Sequence, residues 1–579
     1  MRASLVVVFA LVALICAFTF TPATASLVTL ADPGLATAVR DVPRPDPGTM
    51  GPDVPWTVPG ARRAPPDNPQ IGDSWIWWLW IHYPMPPHFE QRSCTVRGMS
   101  DHAYLVVEDS DWNVTIDQAD VDIILERWEN SSIGPYSDQG IFAIDSTAFG
   151  APPDELDDDP RIYLLWFNFE IASDGFFFDF DEYPEGTFPQ YHSNECEVLY
   201  LNTTSSGGPS GDYMLSVVAH EFEHMIHWKY DGDEDSWVDE GLAELAMWFY
   251  GRPDVVSSFN TAPDNSLTNW GGAWTDYIQT YLWSLYFYER YGGHPAIYAL
   301  VHEPMNTIAG YEAVLDAYGY VENFADVFAD WTVANFLDDS TIGDGRYGYV
   351  GEDLPAFSVA GTYSAYPVSG IARNVQYWAA DYYRFQNFQD MRSVRLLFDG
   401  ADTNRFAVWG VTIHPSAAPE VRRMTLDTPT QSGALDVGGL TDPADQVILV
   451  VASISSGGAL TYTFGAEQSP ADIAAGPDGR PGALALRAAP NPACGPVALR
   501  LEGDSGAEAG AGSASLASIE LFDAQGRLIR QWSEPMRGGL ATLVWDGFAA
   551  DGSFAAPGLY YARARAGGRT AESRVLVLR

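Results

Sequence analysis

The chain of 579 residues contains a single lysine, Lys229, so arginine supplies every other fixed cation. Against 31 basic residues stand 77 acidic ones, a formal net charge of −46 at pH 7. A phosphate backbone needs clustered cations, so nucleic acid is not an expected partner. An acidic surface suits solubility in salt and weak calcium binding. Cysteine is scarce as well, with Cys16, Cys94, Cys196 and Cys494 the whole complement. No tandem repeat is present, and no run after the first 25 residues is long and apolar enough to span a bilayer. The serines of "TTSSGGPSG" are not in a G-x-S-x-G elbow, so they read as a flexible entry to the next helix and not as nucleophiles.

What is present is apolar material: 46% of residues are hydrophobic and 13% aromatic, ample for several globular domains in a chain this long. Residues 1–25 have one arginine, an apolar stretch and Ala23-Thr24-Ala25 before Ser26, the pattern of a secretory signal peptide. Export makes a Cys94–Cys196 disulfide an open alternative to a reactive Cys94, with Cys494 left over. Residues 26–70 are rich in Pro, Asp and Gly and read as a leader or removable pro-segment. Residues 71–345 begin with strand-like runs such as "SWIWWLWI", "HAYLVVED" and "RIYLLWFNFEI", with helical spacing in "TIDQADVDIILERWEN". From Asp212 onward the signals are helical. Residues 346–468 switch to short alternating segments that suggest a β-sandwich, residues 469–485 read as a linker, and 486–579 form a last all-β unit.

The chemistry concentrates in residues 216–246, "SVVAHEFEHMIHWKYDGDEDSWVDEGLAELA". On a helix His220 and His224 lie on one face a turn apart, so both imidazoles can reach one tetrahedral metal, and zinc suits such ligands. Glu221 is rotated from that face by one step, which suits a general base acting on a metal-activated water. Val217, Val218, Phe222, Met225 and Ile226 make the segment apolar around much of its circumference, so the ionisable groups need partners. A catalytic zinc needs a third protein ligand. A metzincin would require glycine at 227 and histidine at 230, where the chain has His227 and Tyr230. His227 shares the stripe, but one helix hardly brings residues seven apart onto one ion, so packing beside the site is its expected role. The remaining candidate is Glu240, paired at i, i+4 with Glu244 on a second helix.

"HEFEH" followed by "WVDEGLAELA" resembles the gluzincin metallopeptidases, and within them the secreted bacterial hyicolysin-type proteases. That resemblance implies zinc bound by His220, His224 and Glu240, with Glu221 as general base. It places Glu244 where a carboxylate holds the first histidine through its second ring nitrogen. The spacing from His224 to Glu240 is slightly shorter than in thermolysin-like members, so the intervening loop differs. Gluzincins also supply a Tyr or His donor to the oxyanion. Tyr277 is the candidate taken first here, with Tyr281, Tyr230 and His294 as alternatives. The expected architecture is multidomain: an α+β gluzincin-like unit, sheet subdomain then helical subdomain, followed by two all-β sandwich modules.

Two acidic loops, "YDGDEDS" and "APPDELDDDPR", offer oxygen ligands for calcium, though neither has EF-hand spacing and solvated turns explain both. The last ninety residues resemble the Ig-like C-terminal modules of secreted bacterial proteins, of the flagellar hook-capping or type IX sorting kind. The matching stretches are "AAPNPACGPVALRL", "IELFDAQGRLIRQW", "LVWDGFAADGSFAAPGLYYARARAGG" and "SRVLVLR". Such modules serve export or surface attachment, which implies a contact with secretion machinery or the cell surface. The expected function is a secreted zinc endopeptidase acting on protein or peptide substrates, with no integral membrane segment after signal cleavage. The alternatives are a surface adhesion or matrix-binding protein with an inactive metal domain, and a zinc hydrolase of non-peptide amides.

Overall fold

Long apolar runs without polar alternation mark strands covered on both faces, and the first sheet is built from them. In the computed structural model, residues 68–469 are described apart from 155, 157–158 and 389–390. Shorter pieces are described at 45, 48–57 and 65–66, and beyond 484 at 485–489, 497–502, 516–536, 540–550, 554–566 and 569–577. The signal peptide expected at 1–25 lies outside the described residues, as do Cys494 and residues 470–484 of the expected linker. The described residues fall into two compact units divided between 472 and 473.

The first sheet has six strands: β1 (Ser74–Ile81), β2 (His88–Met99), β3 (Ala103–Glu108), β4 (Ile162–Phe167), β5 (Gly175–Phe177) and β6 (Val198–Asn202). Their order is β1-β2-β3-β4-β6-β5. β1, β2 and β3 pair antiparallel, β3, β4 and β6 run parallel, and β5 is an antiparallel edge on β6. A parallel pair requires a crossover, and helices α1 (Gln118–Glu129) and α2 (Ile141–Ala148) supply it between β3 and β4. Every residue of β3 and β4 is buried. Ala103, Leu105 and Val107 face the helices, while Tyr104 and Val106 face an aromatic cluster with Trp77, Tyr163 and Phe176.

Helices α3 (Asp212–Asp231), α4 (Ser236–Tyr250), α5 (Trp274–Arg290), α6 (His294–Val301), α7 (Ile308–Tyr318) and α8 (Phe324–Leu337) follow. A sheet subdomain followed by a separate helical one, the α+β gluzincin-like arrangement expected from sequence, is therefore not the architecture. The chain is mixed α/β, because α1 and α2 are interposed between parallel strands, and α3 packs on the helix-facing side of the same sheet.

Residues 361–468 form two facing sheets. One has the order Ser432–Gly438, Ser393–Gly400, Thr461–Gln468, Val368–Asn374. The other runs Ala417–Arg423, Phe406–His414, Gln446–Ser453, Ala380–Gln386, Gly361–Tyr363. Val394, Leu396, Val447, Leu449 and Phe464 fill the space between them. The second sheet is also covered on its outer face: Tyr382, Trp409, Ile448 and Val450 join the helical core. The Tyr382 hydroxyl donates to the Thr332 carbonyl at 2.7 Å, and its ring stacks on Phe336. The β-sandwich expected over 346–468 is thus two facing sheets, and with α8 against the outer face of one of them they form three layers.

Within the Pro-rich leader, Val54 bridges Glu90 on β2, and the Trp56 amide donates to Gln91 Oε1 at 2.8 Å. That part of the leader is thus stitched to the sheet by its backbone. No disulfide joins Cys94 and Cys196, both of which are buried. The second unit pairs the sheet Ala485–Ala489, Val497–Glu502, Leu540–Trp545 with Leu528–Pro535, Leu516–Asp523, Gly558–Ala566, Arg569–Val577 around Leu499, Ile519, Leu521 and Trp545. Among the described residues no helix is long and apolar enough to cross a membrane.

Candidate metal centre

α3 starts at Gly211, after the Gly/Ser entry, and stops at Gly232. Only Gly232 to Asp235 separate it from α4, so the two helices return on each other and pack side by side. α4 ends at Gly251, whose φ of 106° provides the left-handed cap. This tight return accounts for the short spacing between the histidines and Glu240. Gly241 lets α4 approach α5: a Cβ there would meet Ser284 Oγ at 2.7 Å and the Thr280 carbonyl at 3.0 Å.

His220 and His224 turn their Nε2 atoms toward each other at 3.1 Å. Glu240 Oε2 lies 3.5 Å from His220 Nε2 and 3.7 Å from His224 Nε2. Zinc binds nitrogen and oxygen ligands at about 2.0–2.2 Å, which makes the edges of a tetrahedral site about 3.3–3.6 Å. The three donors therefore fit the ion in type and in spacing. His220 is fully buried and Glu240 partly so.

Around these donors stand further carboxylates. Glu244 Oε1 is 3.6 Å from His220 Nδ1, on the side away from Glu240, and is fully buried. Asp239 Oδ1 is 3.1 Å from His224 Nδ1 and 3.2 Å from His227 Nδ1. Burial opposes charge on His224, yet Asp239, Glu240 and Glu221 outweigh it and push its pKa well above the ordinary value. The same balance, with Glu223 and Asp239 outweighing burial, raises His227 to about 10. Field and donors together favour positive charge here, as a cation site requires.

Glu221 is fully buried and abuts β5: a Cβ on Gly175 would stand 2.7 Å from its Oε1 and 2.8 Å from its Cγ. Neither Gly175 nor the Asp239 contacts were singled out in the sequence. Asp239 stands one residue before Glu240 inside the quoted motif, whereas Gly175 carries no local signal. The oxyanion candidates scatter. Tyr277 is buried on α5 with its ring edge-on to Trp270. The Tyr281 hydroxyl donates to Glu352, Tyr230 accepts the Ala151 amide and packs on His302, and His294 sits among Tyr136, Phe249 and Tyr288.

The acidic loops are used locally. Glu234 Oε1 accepts the amides of Asp235 and Thr307, both at 2.6 Å. Asp159 accepts from Tyr104 and Arg161, while Glu155, Asp157 and Asp158 lie outside the described residues.

None of the known family models matches the sequence, and no curated protein does. Among solved structures the chain is similar to PorZ, a bacterial surface component of the type-IX secretion system of Porphyromonas gingivalis. Identity is 20% over 21% of this chain and 14% of that one, with a TM-score of 0.12. Dimeric latent PorU of the same organism gives 14% identity over 37% and 20%, with a TM-score of 0.18. A glycosyl hydrolase family 2 member from Bacteroides cellulosilyticus DSM 14838 gives 11% over 34% and 27%, at 0.14. The chain spans at most 27% of the length of these three structures. Likeness at this level carries no argument about fold or activity.

Proposed function

We propose that the chain is an exported zinc-dependent endopeptidase that uses the gluzincin-like ligand pattern of His220, His224 and Glu240. The observation that carries this reading is the triangle of donor atoms with edges of 3.1, 3.5 and 3.7 Å beside a buried Glu221. When bound there, zinc supplies Lewis acidity and lowers the pKa of an adjacent water. Glu221 accepts the proton from the attacking water through its carboxylate and returns it to the leaving amine. Glu244 and Asp239, at Nδ1 of His220 and of His224, fix the ring orientations and leave both Nε2 atoms to face the ion. Tyr277 is the proposed donor to the developing oxyanion.

A peptide, rather than another amide, is favoured by β5. This strand is the edge of the sheet and lies against Glu221 at Gly175, so an extended chain pairing with it would pass the base. The export and surface-attachment parts of the proposal rest on the sequence of residues 1–25 and on the Ig-like resemblance of the last ninety.

The test is hydrolysis of casein or gelatin by the mature protein, by Glu221→Gln and by chelator-treated enzyme. Glu221→Gln is expected to keep stoichiometric zinc and to lose about 10²- to 10⁴-fold in turnover. Undiminished activity in Glu221→Gln would refute the mechanism. An inert wild type that holds stoichiometric zinc would replace it with the adhesion reading.

A further inference from the structure

A wall of aromatic rings continues the line of the proposed site. Trp228 follows His224 by four residues on α3, so it extends the stripe of His220 and His224 by one turn. Phe177 follows Gly175 by two residues on β5, so the two share the face turned to α3. Phe176 between them turns the other way and stacks on Tyr200. The contact of Gly175 with Glu221 is thus followed, farther along both elements, by Phe177 beside Trp228, with ring centroids 6.2 Å apart. Tyr183, after the short 3-10 turn that follows β5, stands edge-on to Trp228 at 6.0 Å and to Phe188 at 5.1 Å.

These rings are not packed as the other large aromatics of the helical region are. Trp237, Trp283 and Trp331 are each 1% exposed or less. Phe177, Tyr183, Phe188 and Trp228 all remain part-exposed. Tyr183 and Trp228 join none of the buried cores among the described residues, although Trp228 lies on a helix buried on nearly every side. Partly wet aromatic faces gain free energy when an apolar group covers them.

We infer that Phe177, Tyr183 and Trp228 form a subsite for one large apolar side chain of a peptide substrate, at a fixed distance from the bond that is cut. The inference rests on the endopeptidase reading and adds a specificity to it. An extended chain paired with β5 repeats the period of that strand. The residue opposite Phe177 then lies two places, about 7 Å, from the one opposite Gly175, with its side chain on the same face. Because Gly175 abuts Glu221, the recognised side chain falls within two residues of the attacked carbonyl. Three rings around one guest exclude water and offer it both faces and edges.

The experiment uses the mature, zinc-loaded protein and decapeptides in which one Phe moves through an Ala–Ser host, with the cut points read by mass spectrometry. The cut is expected to follow the Phe at one offset within two residues. The kcat/KM should exceed that of the Phe-free host by about 10-fold or more. Trp228→Ala should keep its zinc yet fall to within about twofold of the host value, since one lost apolar contact removes a discrimination of this size. Should that variant fail to fold, by circular dichroism, Tyr183→Ala on the loop should show the same loss. Cut points that ignore the Phe overturn the inference, and so does a folded Trp228→Ala protein that keeps the full preference. A cut that tracks Lys and not Phe also overturns it, and assigns the wall to a cation–π contact. If the wild type cuts none of the peptides, the endopeptidase reading fails, and calorimetry on Glu221→Gln with the same peptides reads the subsite alone. Phe peptides that bind about 10-fold tighter than the host, with the gain lost on adding Trp228→Ala, support it; equal binding overturns it.

Discussion

Replacing Gly175 by alanine tests whether the position of the Glu221 carboxylate, and not its mere presence, sets the rate. The backbone at Gly175 is not in the left-handed region, so the added methyl is conformationally allowed, and its effect comes from contact alone. That contact is severe: the new Cβ would lie 2.7 Å from Oε1, 2.8 Å from Cγ and 3.0 Å from Cδ of Glu221. Carbon atoms rest at about 3.5–4.0 Å, so the carboxylate must retreat by about 0.5–1 Å. A flexible surface glutamate would yield at no cost, but Glu221 is fully buried in α3 and its displacement is confined. A misplacement of about 1 Å in a catalytic group costs up to about 10²-fold, or about 2.7 kcal/mol of barrier. The expected result is a fall of about 10- to 100-fold in kcat, with zinc content retained because none of the three ligands is touched. Overpacking should lower stability by about 1–3 kcal/mol, measured separately by denaturant unfolding. A kcat within twofold of wild type, or a loss that follows zinc content, would refute the reasoning.

Glu244→Gln should weaken zinc binding by about 10- to 100-fold through the loss of charge beside His220 Nδ1, read by competition with a chromogenic chelator. Tyr277→Phe should lower kcat by about 10²-fold or more with little change in KM, whereas Tyr281→Phe, whose hydroxyl donates to Glu352, should change stability and not turnover. Asp181 provides a pH test away from the metal: burial raises its pKa from 3.8 to about 7, against the opposing bonds from Asn194 and Tyr200. A raised carboxyl stabilises fully below 3.8, and that stability is lost as pH rises toward and through 7. Between pH 5 and 8 the wild type should therefore lose about 3 kcal/mol through this group, and Asp181→Asn should not. Parallel stability curves for the two proteins across that range would contradict this assignment.

The histidine pair and Glu240 were legible because helical spacing alone puts i and i+4 on one face, and the four residues between α3 and α4 leave few ways to join them. The fold was less legible. "QVILVVAS" reads as one strand of a sandwich, yet its unbroken apolar character was the sign that both faces are covered. Val447, Leu449 and Val451 enter the sandwich while Ile448 and Val450 meet the helices. The crossover between β3 and β4 was half visible, since α1 has a clear period but α2, at eight residues, is too short to show one. Contacts between elements distant in sequence left no trace at all, as with Gly175 under Glu221.

The ionisable residues of α3 follow from one constraint. The helix is buried on nearly every side, so an acid or imidazole placed on it must be met by something charged, and α4 brings only acids to meet it: Asp239, Glu240 and Glu244. Five carboxylates, Glu221, Glu223, Asp239, Glu240 and Glu244, thus converge with His220, His224 and His227 in a region where the one lysine, Lys229, instead donates to the Pro152 carbonyl. Protonated imidazoles could neutralise three of these charges, but the facing Nε2 atoms of His220 and His224, 3.1 Å apart, could not then both be protonated without repulsion. Positive charge between those two rings would offset the surrounding acids, and on the proposed function a metal ion supplies it in place of a shared proton.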